Sequence, residues 1–313
     1  MGTRPGYAAE ASGVKGRHSR KGDGETKRFG RHGASCRFLF LAFFAYFAVS
    51  SHAQNLDSLS RSIQTGTSEQ KRDALFQLRN LHSEAASRIA LPALKDADPI
   101  VRATAAASVV CLPKPETVEA LALLLTDGDA FVRKETAFAL GSVESSDSAP
   151  VLIAALKREK DLEVKSALVV ALGYTGNMSA VEPLISLMKA KPKEENEFLR
   201  RSAARSIGQI AQILKSSSTY TVTPESFLPD KYKAKDGGNI TRQFPIFKSA
   251  VTILSEVLKS REESGDARRE AAFALGAIGD KTAFGLLESH QNSPDPYLAE
   301  ICKEALLKMK TAD

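Results

Sequence analysis

The chain has 313 residues, with 43 Lys and Arg against 37 Asp and Glu, a formal charge of +6. Hydrophobic residues make up 43% and charged residues 26%, which excludes a disordered chain. Three cysteines exclude a disulfide framework, and after residue 53 no run of about 18 apolar residues appears, which excludes a helical membrane body.

The first element is a leader. Residues 1–37 carry nine basic and three acidic side chains, followed by the twelve apolar residues Phe38–Val49 and then Ser51-His52-Ala53. A basic stretch, a short apolar core and a small-x-small end predict a secretory signal peptide over 1–53, cut before Gln54. The chain is thus expected in the periplasm or outside the cell. An uncleaved leader would instead make a membrane-tethered adaptor, and the leader is the only membrane contact expected. Cys36 precedes the apolar core, where a lipoprotein cysteine would follow it. The leader takes nine of the 43 basic and three of the 37 acidic side chains, leaving 34 of each in 54–313. The basic character of the whole chain therefore says nothing in favour of nucleic acid.

From there one pattern recurs. Asp98-Pro-Ile-Val101-Arg102 leads to Val109, and Asp129-Ala-Phe-Val132-Arg133 to Leu140-Gly141. Asp161-Leu-Glu-Val164-Lys165 leads to Leu172-Gly173, and Asn196-Glu-Phe-Leu199-Arg200 to Ile207-Gly208. Ala267-Arg268 leads to Leu275-Gly276, Asp295-Pro-Tyr-Leu298 to Leu306 and, weakly, Gln70-Lys71 to Leu78. The anchors step by 31, 31, 32, 35, 68 and 31 residues, the 68 being one repeat plus an insertion. Asp or Asn ahead of each run caps a helix, and Pro99 and Pro296 suit its first position. Anchors at 0, +5 and +8 share one helical face, and Gly141, Gly173, Gly208 and Gly276 are read as helix stops. Second amphipathic segments such as Val118/Leu121/Leu125 and Leu152/Ala155/Leu156 lie between. Each unit is then two helices that can bury their apolar faces only by stacking on neighbours.

Asp129–Gly141, Asp161–Gly173 and Asp266–Gly279 resemble the D-x-x-V-R-x-x-A-x-x-A-L-G signature of the HEAT-like repeat family, specifically its short-repeat branch found in phycobilisome lyases. The resemblance covers roughly Ser58–Met309, about seven repeats. It implies an all-α, right-handed α-solenoid of about seven helical hairpins over 54–313. It also implies that Asp98, Asp129 and Asp161 pair with Arg102, Arg133, Lys165, Arg200 and Arg268 of neighbouring repeats as a structural ladder. In this family the second helix of each pair lines the concave face. Positions +2, +3 and +6 from the anchors would then point outward: Lys134, Glu135 and Phe138; Ser166 and Val170; Arg201, Ser202 and Arg205; Arg269, Glu270 and Phe273. Of these, Lys134, Phe138, Arg201, Arg205, Arg269 and Phe273 form the candidate partner-binding set. Arg201 and Arg205, four apart, would make a basic patch for an acidic partner.

Between about 216 and 245 no helical period is seen, and this insertion reads as an irregular excursion or a partner-docking loop. No metal or cofactor site is expected. His82 and His290 are the only histidines after residue 53, and neither has metal-ligand spacing. A related HEAT-like hydroxylase family binds iron through His-Glu pairs, and this chain has no His-Glu dipeptide. Cys111 and Cys302 sit about six repeats apart and read as buried free thiols. No Trp and 13 Phe and Tyr after residue 53, on a neutral body, argue against nucleic-acid binding. The sequence therefore points to an exported scaffold that binds another protein through its concave face, with neither catalysis nor a small-molecule substrate. The alternative is an accessory, lyase-like or otherwise enzyme-associated HEAT protein.

Overall fold

The computed structural model describes residues 56–219 and 240–311, all within the unit His52–Asp313. The leader over 1–53 and the middle of the insertion lie outside the described residues. Among the described residues there are helices and no strand.

Seven helix pairs follow one another as a right-handed α-solenoid. They are α1 (56–65) with α2 (Ser68–Asn80); α3 (Glu84–Ala90), extended by the 3₁₀ turn Leu91–Lys95, with α4 (Pro99–Ser108); and α5 (Lys114–Ala122) with α6 (Ala130–Ser142). Next come α7 (Ser148–Arg158) with α8 (Leu162–Tyr174), and α9 (Val181–Met188) with α10 (Glu197–Thr219). The last pairs are α11 (Ile240–Gln243) and α12 (Ile246–Lys259) with α13 (Gly265–Ile278), and α14 (Phe284–His290) with α15 (Pro296–Thr311). The second helices pack side by side in the order α2, α4, α6, α8, α10, α13, α15.

Local chemistry starts these helices where the sequence places them. Asp98, Asp129 and Asp161 accept from the free N–H groups of Ile100, Phe131/Val132 and Glu163/Val164. Ser264 caps α13, and Thr67 with Gln70 closes a reciprocal capping box on α2. Anchors Val101, Val132, Val164, Leu199, Ala267 and Leu298 are buried in one continuous core. Gln70 is exposed, so the first repeat carries no apolar anchor there and packs instead through Ala74, Leu75 and Leu78.

Three expectations change. First, the ladder aspartates cap their own helices and Asp129 and Asp161 attract Arg102 and Arg133 of the preceding repeat through space, while the carboxylates in direct ion pairs with them lie two positions earlier. Arg102 Nε donates to Asp127 Oδ2 at 2.8 Å and Arg133 Nε to Glu159 Oε2 at 2.8 Å, while Lys71 pairs with Asp96 at 2.6 Å. Each arginine also donates to carbonyls of the loop ahead of its own helix, Arg102 to Asp96 O and Ala97 O, and Arg133 to Asp127 O and Gly128 O. Arg200, buried, bonds Met188 O and Ala190 O and pairs with Glu263 across the insertion. Arg268 donates to Leu258 O. Lys165 forms no ion pair among the described residues, because Lys189-Ala190-Lys191 hold the place of the next carboxylate.

Second, Gly141, Gly173, Gly208 and Gly276 lie inside helices and stop none of them. They let adjacent second helices touch. A Cβ on Gly276 would sit 2.5 Å from Ala305 Cβ and 2.9 Å from Ala305 Cα, and one on Gly208 2.9 Å from Ala274 Cα. The left-handed stop falls three residues later, at Gly279, with φ 69°. Third, α10 runs on to Thr219 and helix resumes at Ile240, so both flanks of the expected 216–245 insertion are largely helical.

Candidate functional site

The second helices share a surface stripe built from four positions spaced i, i+3, i+4 and i+7, all on one helical face. On α6 these are Phe131, Lys134, Glu135 and Phe138; on α10 they are Phe198, Arg201, Ser202 and Arg205. On α13 they are Asp266, Arg269, Glu270 and Phe273, and on α15 Tyr297 begins the stripe. Phe131, Phe138, Phe198 and Tyr297 are 44%, 45%, 51% and 70% exposed. Large aromatics are more often buried, and their repetition along one face makes it the candidate site. The leading aromatics Phe131, Phe198 and Tyr297, one residue before the anchor, were missed by reading only +2, +3 and +6. The i, i+3, i+7 spacing from Phe131 to Phe138 was the signal that could have found them.

Four of these aromatics have a cation over them: Lys134 lies 5.7 Å from the Phe131 centroid, Arg201 4.9 Å from Phe198, Arg205 5.8 Å from Phe273 and Arg269 5.1 Å from Tyr297. The same cations are held by carboxylates of the next repeat. Lys134 Nζ is 2.9 Å from Glu163 Oε2, and this hydrogen bond raises the lysine pKa. Arg205 Nη1 is 2.9 Å from Glu270 Oε1. Arg201 and Arg269 meet on Asp266, at 2.7 and 2.6 Å, and Arg269 also reaches Asp295 at 2.9 Å. The expected basic patch at Arg201 and Arg205 is therefore neutralised within the chain.

Two depressions lie on this face. Lys134 and Phe138 line a groove of about 500 Å³ over α8. Its floor is Ser166, Ala167 and Val170, and Phe198 and Leu199 of α10 stand on the far side. Small residues on α8 between bulkier ones on α6 and α10 create it. Arg205 and Phe273 line a smaller one of about 130 Å³ that runs over Gly276 to Ile301 and Lys308. Arg201 and Arg269 line neither. Ser202, expected to face outward, is buried, and Ser166 is largely buried at the groove floor, where it donates to Leu162 O. Phe273 is half-buried, its ring lying against Gly208.

Elsewhere, His82 is exposed in a left-handed turn, and His290 Nδ1 lies 3.0 Å from Leu286 O. Burial pushes the Cys302 thiol up to about 11, which makes it a poor nucleophile, while Cys111 is half-buried and not, as expected, buried. Among the described residues no group of three or more His, Cys, Asp or Glu is placed to hold a metal. The residues present therefore do not fit an iron centre built on His-Glu pairs.

Residues 87–173 and 149–220 match the family of HEAT repeats, and 267–292 match the PBS lyase HEAT-like repeat. Deoxyhypusine hydroxylase-B of Oryza sativa subsp. japonica is 28% identical over 260 residues, 74% of this chain and 84% of that protein. Bilin biosynthesis protein PecE of Mastigocladus laminosus is 36% identical over 73 residues, 23% of this chain and 27% of that protein. The solved complex of CpcE and CpcF of phycocyanin lyase from Nostoc sp. PCC7120 superposes with a TM-score of 0.45 at 22% identity, covering 81% of this chain and 87% of that one.

These relatives correct one expectation. The lack of a recognisable catalytic grouping was read as a chain with no part in catalysis. Similarity to proteins named for a hydroxylase and for bilin biosynthesis overturns that reading and points to possible enzymatic activity. With capped helix pairs stacked in series and family matches over 87–220 and 267–292, the chain belongs to the HEAT-repeat proteins and carries a repeat of the PBS lyase HEAT-like type.

Proposed function

We propose that this protein is an enzyme-associated HEAT-repeat protein that holds another protein along the stripe of its second helices while a chemical step is carried out. The observation that carries the reading is the row of exposed aromatics, Phe131, Phe138, Phe198 and Tyr297, on one face of a rigid array. Such a surface is preorganised, so docking costs little ordering entropy, and aromatic and arginine side chains dominate interface energetics. The names of the relatives, a hydroxylase that acts on deoxyhypusine and a bilin biosynthesis protein, support association with an enzymatic step. Export through the 1–53 leader belongs to this proposal and rests on the leader's composition. The mass of chain recovered from the cell envelope, short by those residues, is its check.

The test of docking is capture of a partner by the tagged chain, compared with a Phe138→Asp/Phe198→Asp variant. Both rings are exposed, so the variant should keep its helical circular dichroism and lose the partner. Undiminished capture would sink the reading. Absorbance and metal content of the purified chain test a direct chemical role: a bound chromophore or metal would show that the array itself, and not only its partner, holds the reacting group.

A further inference from the structure

The groove over α8 has an uneven charge. Its lining carries three carboxylates, Glu135, Glu163 and Glu195, against one ammonium, Lys134. Lys134 is already committed to Glu163 at 2.9 Å. Among the described residues Glu195 pairs with the exposed Lys193, at 3.3 Å and from outside the groove. Glu135 makes no ion pair among the described residues, although it is half-buried beside Phe138. The stripe's cations to the C-terminal side are matched by Asp266, Glu270 and Asp295. The local surplus is therefore negative, and it sits on an apolar pocket walled by Phe138, Leu162 and Phe198.

Glu135 shares the through-space attraction of Lys134 with Glu163, which holds the lysine's hydrogen bond, so one ammonium serves two carboxylates and a second cation would complete the pairing. Lysine and arginine carry a charge on an apolar stem, so one such side chain satisfies both halves of the site: its methylenes lie on the phenyl rings and its head reaches Glu135. Resting on the docking reading above, we infer that the α8 groove receives an extended segment of the partner protein that presents a Lys or Arg beside an apolar residue. An acidic segment would meet Glu135 and Glu195 as like charges and is disfavoured.

The experiment is a double-mutant cycle with the full chain. The probe is a fluorescein-labelled peptide, acetyl-Ala-Leu-Lys-Phe-Ala-amide, followed by fluorescence anisotropy. Its counterparts carry norleucine or Glu in place of Lys. Wild type should bind the Lys peptide about tenfold more tightly than the norleucine peptide. Glu135→Gln, a near-isosteric change that leaves the fold intact, should erase that difference. Phe138→Ala with Phe198→Ala should weaken both peptides. Equal binding of the Lys and norleucine peptides, a preference for the Glu peptide, or a preference for Lys that survives Glu135→Gln would each overturn the assignment. If the Lys and norleucine peptides bind alike, or the Glu peptide binds best, and that binding is lost on removing the rings, the cation is overturned while groove docking stays in place. No binding by any of the peptides would also overturn the assignment, and the docking reading is then decided by whole-partner capture.

Discussion

The inter-repeat pairs show how single side chains tie the array together. The hydrogen bond from Arg133 holds the Glu159 carboxyl down at about 2, against the pull of burial in the other direction. Arg102 acts likewise on Asp127, and Arg269 on Asp295. Each folded-state value lies below its unfolded one, so the stabilisation is complete above about pH 5 and is lost as the pH falls toward 2. Urea midpoints of the wild type should drop steeply over that interval. Glu159→Gln should be less stable at pH 7 and show a shallower acid limb; parallel curves for the two proteins would refute this. Arg133→Ala should cost about 2 kcal/mol in the same measurement, since it strands Glu159 together with two loop carbonyls. The arginines at these positions were legible in the sequence because they follow each buried anchor. Their partners were not, because a carboxylate two residues before the cap and one at the cap look alike in a string. Only geometry separates a carboxylate turned to its own N–H groups from one turned to the next repeat.

At the scale of helices, the repeat boundaries were readable from caps and from the 3.6-residue period, since both are local. What was not local was the role of the glycines. A glycine near the end of an amphipathic run suggests a stop, and Gly279 three residues on does provide one for α13. Gly276, however, is contact surface for α15 and Gly208 for α13. Gly276→Ala should therefore destabilise by about 1–3 kcal/mol despite the better helix propensity of alanine, because the new methyl meets Ala305 backbone and side chain at overlapping distances. Chemical denaturation checks the sign: a gain in stability would mean the residue is only a helix position. The same reasoning explains why the aromatic stripe was half seen. The +2, +3 and +6 residues were counted from the anchor, and Phe131, Phe198 and Tyr297 lie one step before it, in the first turn where capping chemistry draws the eye.

For the whole array, the join across the insertion matters most. Arg200 of α10 is buried, and its carboxylate partner Glu263 comes from 63 residues later, just ahead of α13. Removing Glu263 leaves a buried guanidinium with only carbonyl partners, and Glu263→Ala should cost about 3–5 kcal/mol. Because a repeat array unfolds as coupled neighbours, amide exchange should rise first in α10 and α13 and spread outward. A uniform rise across all pairs would argue against this joint as the weak point. Seven units, their order and their period were visible in the sequence because every unit repeats the same local code. The tie was not, since nothing in the spacing says which acidic residue beyond a long insertion returns to Arg200.

The glycine contacts carry one more consequence. Helices that meet at bare backbone on one side have their mutual tilt fixed by atoms too small to compress. A single added carbon at Gly208 or Gly276 would act as a shim in a fan, splaying two blades at that joint while the rest keep their angle. Because Gly276 also lines the smaller depression beside Phe273, the width of that slot is set by a hydrogen atom.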